Sequence, residues 1–173
     1  MNKQEIEKQL EETHKRFIAL VNAIPEESYS LPTENPAWTV GDVLFHITLG
    51  PRALALEVWM LVYMRGLFGF VMRNFPSRFF NSANAWVGRQ NRISRRRVLK
   101  AYGRAHTAVL SVLKRVREEE LVKSVVYPPD FVSNLAGEVT PERLFLYVTG
   151  HFEEHAKQLE SVSSKDSQSQ ILV

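Results

Sequence analysis

The sequence predicts an all-α protein: a four-helix bundle with a long crossover between its second and third helices. Three observations carry this reading. Four stretches place apolar residues at three- and four-residue steps, the spacing that lines one face of a helix. Segments bearing proline or glycine separate them. A chain of 173 residues, 45% apolar and 24% charged, suits one globular domain that buries roughly 70% of its unfolded surface.

The first stretch, residues 3 to 24, carries Ile6, Leu10, Phe17, Leu20, Val21 and Ile24 on one face and stops at Pro25. His14 lies on its flank and reads as a surface or edge histidine rather than a ligand. Residues 25 to 37 hold Pro25, Pro32 and Pro36 and form a loop.

Thr39 is placed to cap the second helix. Asp42 follows in the first turn, where its charge meets the positive end of the helix dipole. That helix runs through Leu44, Ile47, Leu54, Val58 and Leu61 to about Arg65. Gly50-Pro51 predicts a kink, because proline removes a backbone donor and crowds the turn before it. His46 stands one turn before the kink, in line with Gly50, Ala53 and Glu57. A histidine alone in such a place is more often a hydrogen-bonded core residue than a ligand.

Residues 66 to 91 form the crossover, rich in aromatics (Phe68, Phe70, Phe75, Phe79, Phe80, Trp86). Gly66, Gly69, Pro76 and Gly88 argue against one continuous helix there. A connection of this length either carries a function or is itself partly structured. The third helix, residues 92 to 120, shows Leu99, Tyr102, His106, Val109, Leu113 and Val116 as a core-facing seam. His106 is therefore on the inner face, as a hydrogen-bonded core residue or a further ligand. Arg89, Arg92, Arg95, Arg96, Arg97, Lys100 and Arg104 crowd the start of this helix, with 92, 96, 100 and 104 in one stripe. Such a stripe suits a nucleic acid or an anionic small molecule, but is commonly a solvated face. Glu118-Glu119-Glu120 opposes the dipole at the other end, so that end is expected to fray.

Residues 121 to 139 read as a loop through Tyr127-Pro128-Pro129-Asp130. Thr140-Pro141-Glu142 then announces the fourth helix: cap, proline at the first helical position, acid in the first turn. Its stripe is Leu144, Val148, His151, His155 and Leu159. The domain is expected over residues 1–162, with residues 163–173 a disordered tail.

The chemistry lies in Gly150-His151-Phe152-Glu153-Glu154-His155. Residues four apart on a helix are surface neighbours, with Cβ atoms roughly 5–6 Å apart, which suits two ligands of one metal ion. His46 offers a third imidazole from another helix. Cysteine is absent, so thiolate ligands and disulfides are excluded and a transition metal must use His, Asp or Glu. The lack of cysteine fits a reducing, cytoplasmic setting. The N-terminus runs straight into a charged amphipathic stretch rather than an export signal. The most apolar region, Ala53 to Met72, is interrupted by Glu57 and Arg65 and reads as buried helix, not a membrane span. A net charge of +3 is too small to imply nucleic acid.

Trp38-Thr39-x-x-Asp42-Val43-Leu44-x-His46-Ile47, followed about a hundred residues later by His151-x-x-x-His155-x-x-Gln158-Leu159, resembles the DinB-like (YfiT-like) superfamily of metalloenzymes, which is distinct from the DNA polymerase of similar name. The resemblance spans residues 1 to about 162. It implies an up-down-down-up bundle holding a divalent transition metal, often zinc or nickel, through three histidines, here His46, His151 and His155. It also implies a small-molecule substrate, a low-molecular-weight thiol as cofactor in some relatives, and homodimers. The crossover supports that topology physically. A 25-residue helix is about 38 Å long, and parallel second and third helices need a connection of that reach.

Three neutral imidazoles leave a coordination position open for water or a substrate atom. The reaction implied is thiol transfer or hydrolysis. Glu57, Glu153 and Glu154 are candidates for supporting contacts, and no catalytic base is assigned. Two rival motifs are weaker. His151-x-x-Glu154-His155 matches inverted zinc peptidases, but no room follows for the acidic third ligand. Glu11-x-x-His14 matches half of a di-iron pair, and the fourth helix lacks the other half. The non-enzymatic alternative is a metal-binding or stress-response module that works through the aromatic crossover and the arginine stripe.

Overall fold

Each long helix begins where a short polar side chain replaces a missing backbone partner. The computed structural model describes residues 1–35, 37–74, 93–131 and 135–169. Asn2 and Glu5 exchange side-chain-to-backbone bonds at the head of α1, Lys3–Ala23. Thr39 and Asp42 do the same, at 3.2 and 2.9 Å, at the head of α2, Val40–Tyr63. A break at Met64 separates α2 from α3, Arg65–Asn74. Ser94 accepts from the Arg97 N–H to start α4, Arg95–Arg115. Thr140 Oγ1 accepts from the Arg143 N–H, 3.2 Å, to start α5, Pro141–Ser169. Caps of this kind are each worth about 1 kcal/mol.

The chain is mostly helical, as expected, with differences at the edges. The crossover opens with a short helix, α3, that carries Gly66 and Gly69, so the connection is partly structured. Phe68, Gly69 and Met72 form its buried face. That face packs on the first strand, β1, Val125–Tyr127, and packing outweighs the glycine penalty of about 1 kcal/mol per residue. Phe75, Phe79, Phe80, Trp86, Arg89 and Arg92 lie outside the described residues.

The third helix ends at Arg115 because Val116 turns extended. The acidic triplet thus does not fray a helix end. It forms its own 3-10 turn, Glu118–Glu120, in which Arg117 reaches Glu119 and Glu120 at 3.0 Å and Lys123 reaches the buried Glu120 at 3.6 Å.

Residues 121 to 139, read as a loop, contain a small antiparallel sheet. β1 pairs with β2, Gly137–Val139, in the register Val125 to Val139. Strands of three residues are too short to show alternation in sequence. α5 continues past residue 162 to Ser169, since no proline or glycine interrupts it after Gly150.

α1 and α2 each pack against both α4 and α5. α2 is long and apolar enough to cross a membrane by composition, yet half of its apolar window is buried against these neighbours. The core has two parts. One holds Ile6, Leu10, Leu54, Val58, Val109, Leu113, Leu144 and Val148 together with the strands. The other holds Phe17, Val21, Val43, Ile47, Val98, Tyr102, Phe152 and Leu159. Between these stretches each long helix contributes polar residues: Thr13 and His14, Thr48, His106, Thr149 and His151. Thr13 and Thr149 meet hydroxyl to hydroxyl at 2.9 Å. The histidines therefore sit in or beside a polar layer that crosses the bundle.

Candidate metal centre

Helix α5 presents His151 and His155 one turn apart, and α2 presents His46 opposite them. The three rings meet almost symmetrically. Their centroids are 4.9 Å apart for His46–His151, 4.9 Å for His46–His155 and 4.7 Å for His151–His155. Nε2 of His46 lies 3.1 Å from Nε2 of His151. Two ligands about 2.1 Å from one tetrahedral ion stand about 3.4 Å apart, so this pair is already close to ligand spacing. One nitrogen from each ring falls within 4.8 Å of the others.

The environment keeps the His46 and His151 rings neutral. Burial, then the neighbouring His155, holds His46 down at about 4. Burial, then His46 and His155, holds His151 down at about 3. At neutral pH both offer lone pairs rather than charge, which is the form a metal needs.

The tautomer of His155 is set from outside the cluster. Its Nδ1 is 3.1 Å from the Gln158 carbonyl oxygen, a contact that requires Nδ1–H to donate and leaves Nε2 free to ligate. Gln158 Nε2 donates in turn to the Thr33 hydroxyl at 3.4 Å, and that hydroxyl bonds the backbone oxygens of Asn35 and Trp38. Trp38 then stands edge-on to His46, with centroids 4.9 Å apart. The loop before α2 is thereby tied to both sides of the cluster.

Gly50 makes room for it. A Cβ at that position would stand 3.0 Å from His151 Nδ1 and 3.2 Å from Cε1. In sequence Gly50 reads as part of a kink. Its clearance for a ring 101 positions away has no local signal. Gln158 is visible as part of the motif, but its role emerges from the Thr33 contact.

The carboxylates named as helpers stand elsewhere. Glu153 pairs with Arg16 at 2.8 Å on the surface. Glu154 is exposed. Glu57 lies three turns along α2 from His46, about 16 Å of helix. It accepts a 2.7 Å bond from the Tyr127 hydroxyl. Burial raises its carboxyl to about 7 despite that bond. Tyr147 packs between these regions. Its ring lies 5.8 Å from His151, and its hydroxyl is pushed up to about 12 by burial, then by Glu154 and Glu57.

His106 is buried on the inner face, as its spacing predicted, but not as a fourth member of the cluster. It meets His14 instead, with ring centroids 4.2 Å apart. His14 is partly buried against Tyr102, not a free surface residue. Of the basic stripe, Arg96, Lys100 and Arg104 are exposed, while Arg95 bonds the Ile24 carbonyl at 2.8 Å.

A family model described as the DinB superfamily matches residues 9–159, most of the chain and all three histidines of the cluster. Searches of curated proteins and of solved structures returned no match.

Proposed function

Because this chain belongs to the DinB superfamily, we propose that it holds a divalent transition metal, zinc or nickel, at His46, His151 and His155, and that the site serves an enzyme acting on a small molecule. The observation that carries this reading is the 3.1 Å approach of two neutral imidazole nitrogens beside a third. Bare lone pairs at that distance repel unless a proton or a cation lies between them. The donor set also fits: three nitrogen ligands suit zinc or nickel and leave a position open.

When bound, such an ion supplies Lewis-acid activation of an oxygen or sulfur atom of the substrate. The chain's own groups prepare the site. Gln158 orients His155, Gly50 admits the His151 ring, and Trp38 packs against His46. The reaction class proposed is thiol transfer or hydrolysis, with a low-molecular-weight thiol as co-substrate in the first case. Metal analysis of purified protein tests the assignment. The triple variant His46→Ala/His151→Ala/His155→Ala should carry one equivalent fewer than wild type, and equal loading would reject it.

Two finer points belong to this reading. The bundle is proposed to run up-down-down-up. In support, α1 and α5 pass from the first core cluster to the second along the chain, whereas α2 and α4 pass the other way. A homodimer is also proposed. Leu56, Trp59, Tyr63, Leu67 and Phe70 stay exposed at helical spacing along α2 and α3, an apolar face suited to a second copy. Sedimentation of wild type against Leu67→Glu/Phe70→Glu tests it. A monomeric wild type would reject it.

A further inference from the structure

The polar layer holds a second cluster, on the pair of helices that the first does not use. Glu11 and His14 lie three residues apart on α1, a spacing that puts them on one face. His106 faces them from α4. Glu11 Oε1 is 3.4 Å from His106 Nε2, and the two imidazole rings lie 4.2 Å apart. One ligand atom from each residue falls within 4.8 Å of the others.

A second, independent observation points to a ligand. His106 is only 7% exposed, and its Nε2 is buried with no hydrogen-bond partner among the described residues. The Glu11 carboxylate is near but lacks hydrogen-bond geometry. A buried polar nitrogen left in this state requires a reason. A cation among the three would take a lone pair from each.

We infer that Glu11, His14 and His106 form a second binding site for a divalent first-row metal ion, separate from the three-histidine cluster. Two imidazoles and one carboxylate make a donor set that suits such ions and leaves further positions to water. The 3.4 Å separation of Glu11 and His106 already equals the spacing of about 3.4 Å expected for two ligands of one tetrahedral ion. The Glu11 side chain is 45% exposed, so it can rotate to close the remaining gap and gives the ion a path from solvent. The sequence holds the same residues as Glu11-x-x-His14, the lone half of a di-iron pattern. The fold completes it differently, with one histidine from α4.

The test is Zn²⁺ titration of chelator-stripped full-length protein against a competing chromophoric chelator. Wild type should take two equivalents. His14→Ala should take one, its weakened site losing more than the roughly 10–100-fold in affinity that removal of a partner outside the coordination shell costs. Glu11→Gln, at a partly exposed position that should leave folding intact, should weaken the same equivalent. The variant His46→Ala/His151→Ala/His155→Ala should also take one, and adding His14→Ala to it should leave none. If neither His14→Ala nor Glu11→Gln changes the titration, the second site is overturned. If the triple variant alone is without effect while His14→Ala removes an equivalent, the second site stands and the three-histidine reading falls.

Discussion

Gly50→Ala separates metal binding from folding in one substitution. Alanine is favoured over glycine inside a helix by about 1 kcal/mol. Two effects oppose that gain. The new Cβ precedes Pro51, and a residue with a Cβ before proline is disfavoured in helical geometry. It also meets the His151 ring at 3.0 and 3.2 Å, inside ordinary contact, so the ring must retreat by a few tenths of an ångström. These terms offset to within about 1 kcal/mol. For a chain of this size the metal-free Tm should then move by less than about 4 °C. Metal sites tolerate only about 0.2 Å of ligand displacement, so the same shift should weaken Zn²⁺ at the three-histidine site about tenfold, or about 1.4 kcal/mol. Calorimetric titration in a His14→Ala background, which removes the second cluster, reads this affinity, and thermal melts with and without chelator read stability. An affinity unchanged to within threefold, in a variant that folds, would refute the reasoning: either His151 is not a ligand or Gly50 does not set its place.

Further outcomes follow from the buried titrating groups and the caps. Glu57 has a folded pKa of about 7, above its unfolded value, so it favours folding below about pH 4.5 and loses that advantage as pH rises to 7. Glu57→Gln should therefore gain on wild type across that window, by about 3 kcal/mol at its upper end, measured by urea unfolding at several pH values. His46 and His151 have folded pKa values lowered to about 4 and about 3, so metal-free stability should fall as pH drops from 6.5 toward 3. A variant with glutamine at both positions should show a flatter acid limb in the same experiment. Gln158→Ala frees the His155 ring and should weaken the metal about 10–100-fold with little change in Tm. Thr39→Ala removes a cap worth about 1 kcal/mol and should lower Tm by about 2–4 °C without touching metal affinity.

The sequence by itself determined where α2 and α5 start, because a cap bonds a backbone group only two or three residues away. Thr39 with Asp42, and Thr140 before Pro141, are complete signals within four residues. It likewise determined that His151 and His155 share a face, since helical rise and turn alone place them there. It did not show the strands at 125–127 and 137–139, whose partners lie across a turn, nor the helix over Gly66 and Gly69, which packing holds in place. The motif resemblance already singled out His46, His151 and His155, but tertiary structure alone brought His14 and His106 together. His106 shows the reason. Its inward direction is a property of α4, but whether it meets His46 or His14 depends on which helix lies beside it. That choice rests on contacts between residues some ninety to a hundred positions apart, made by the two core clusters as they pack, and no local pattern of residues encodes it.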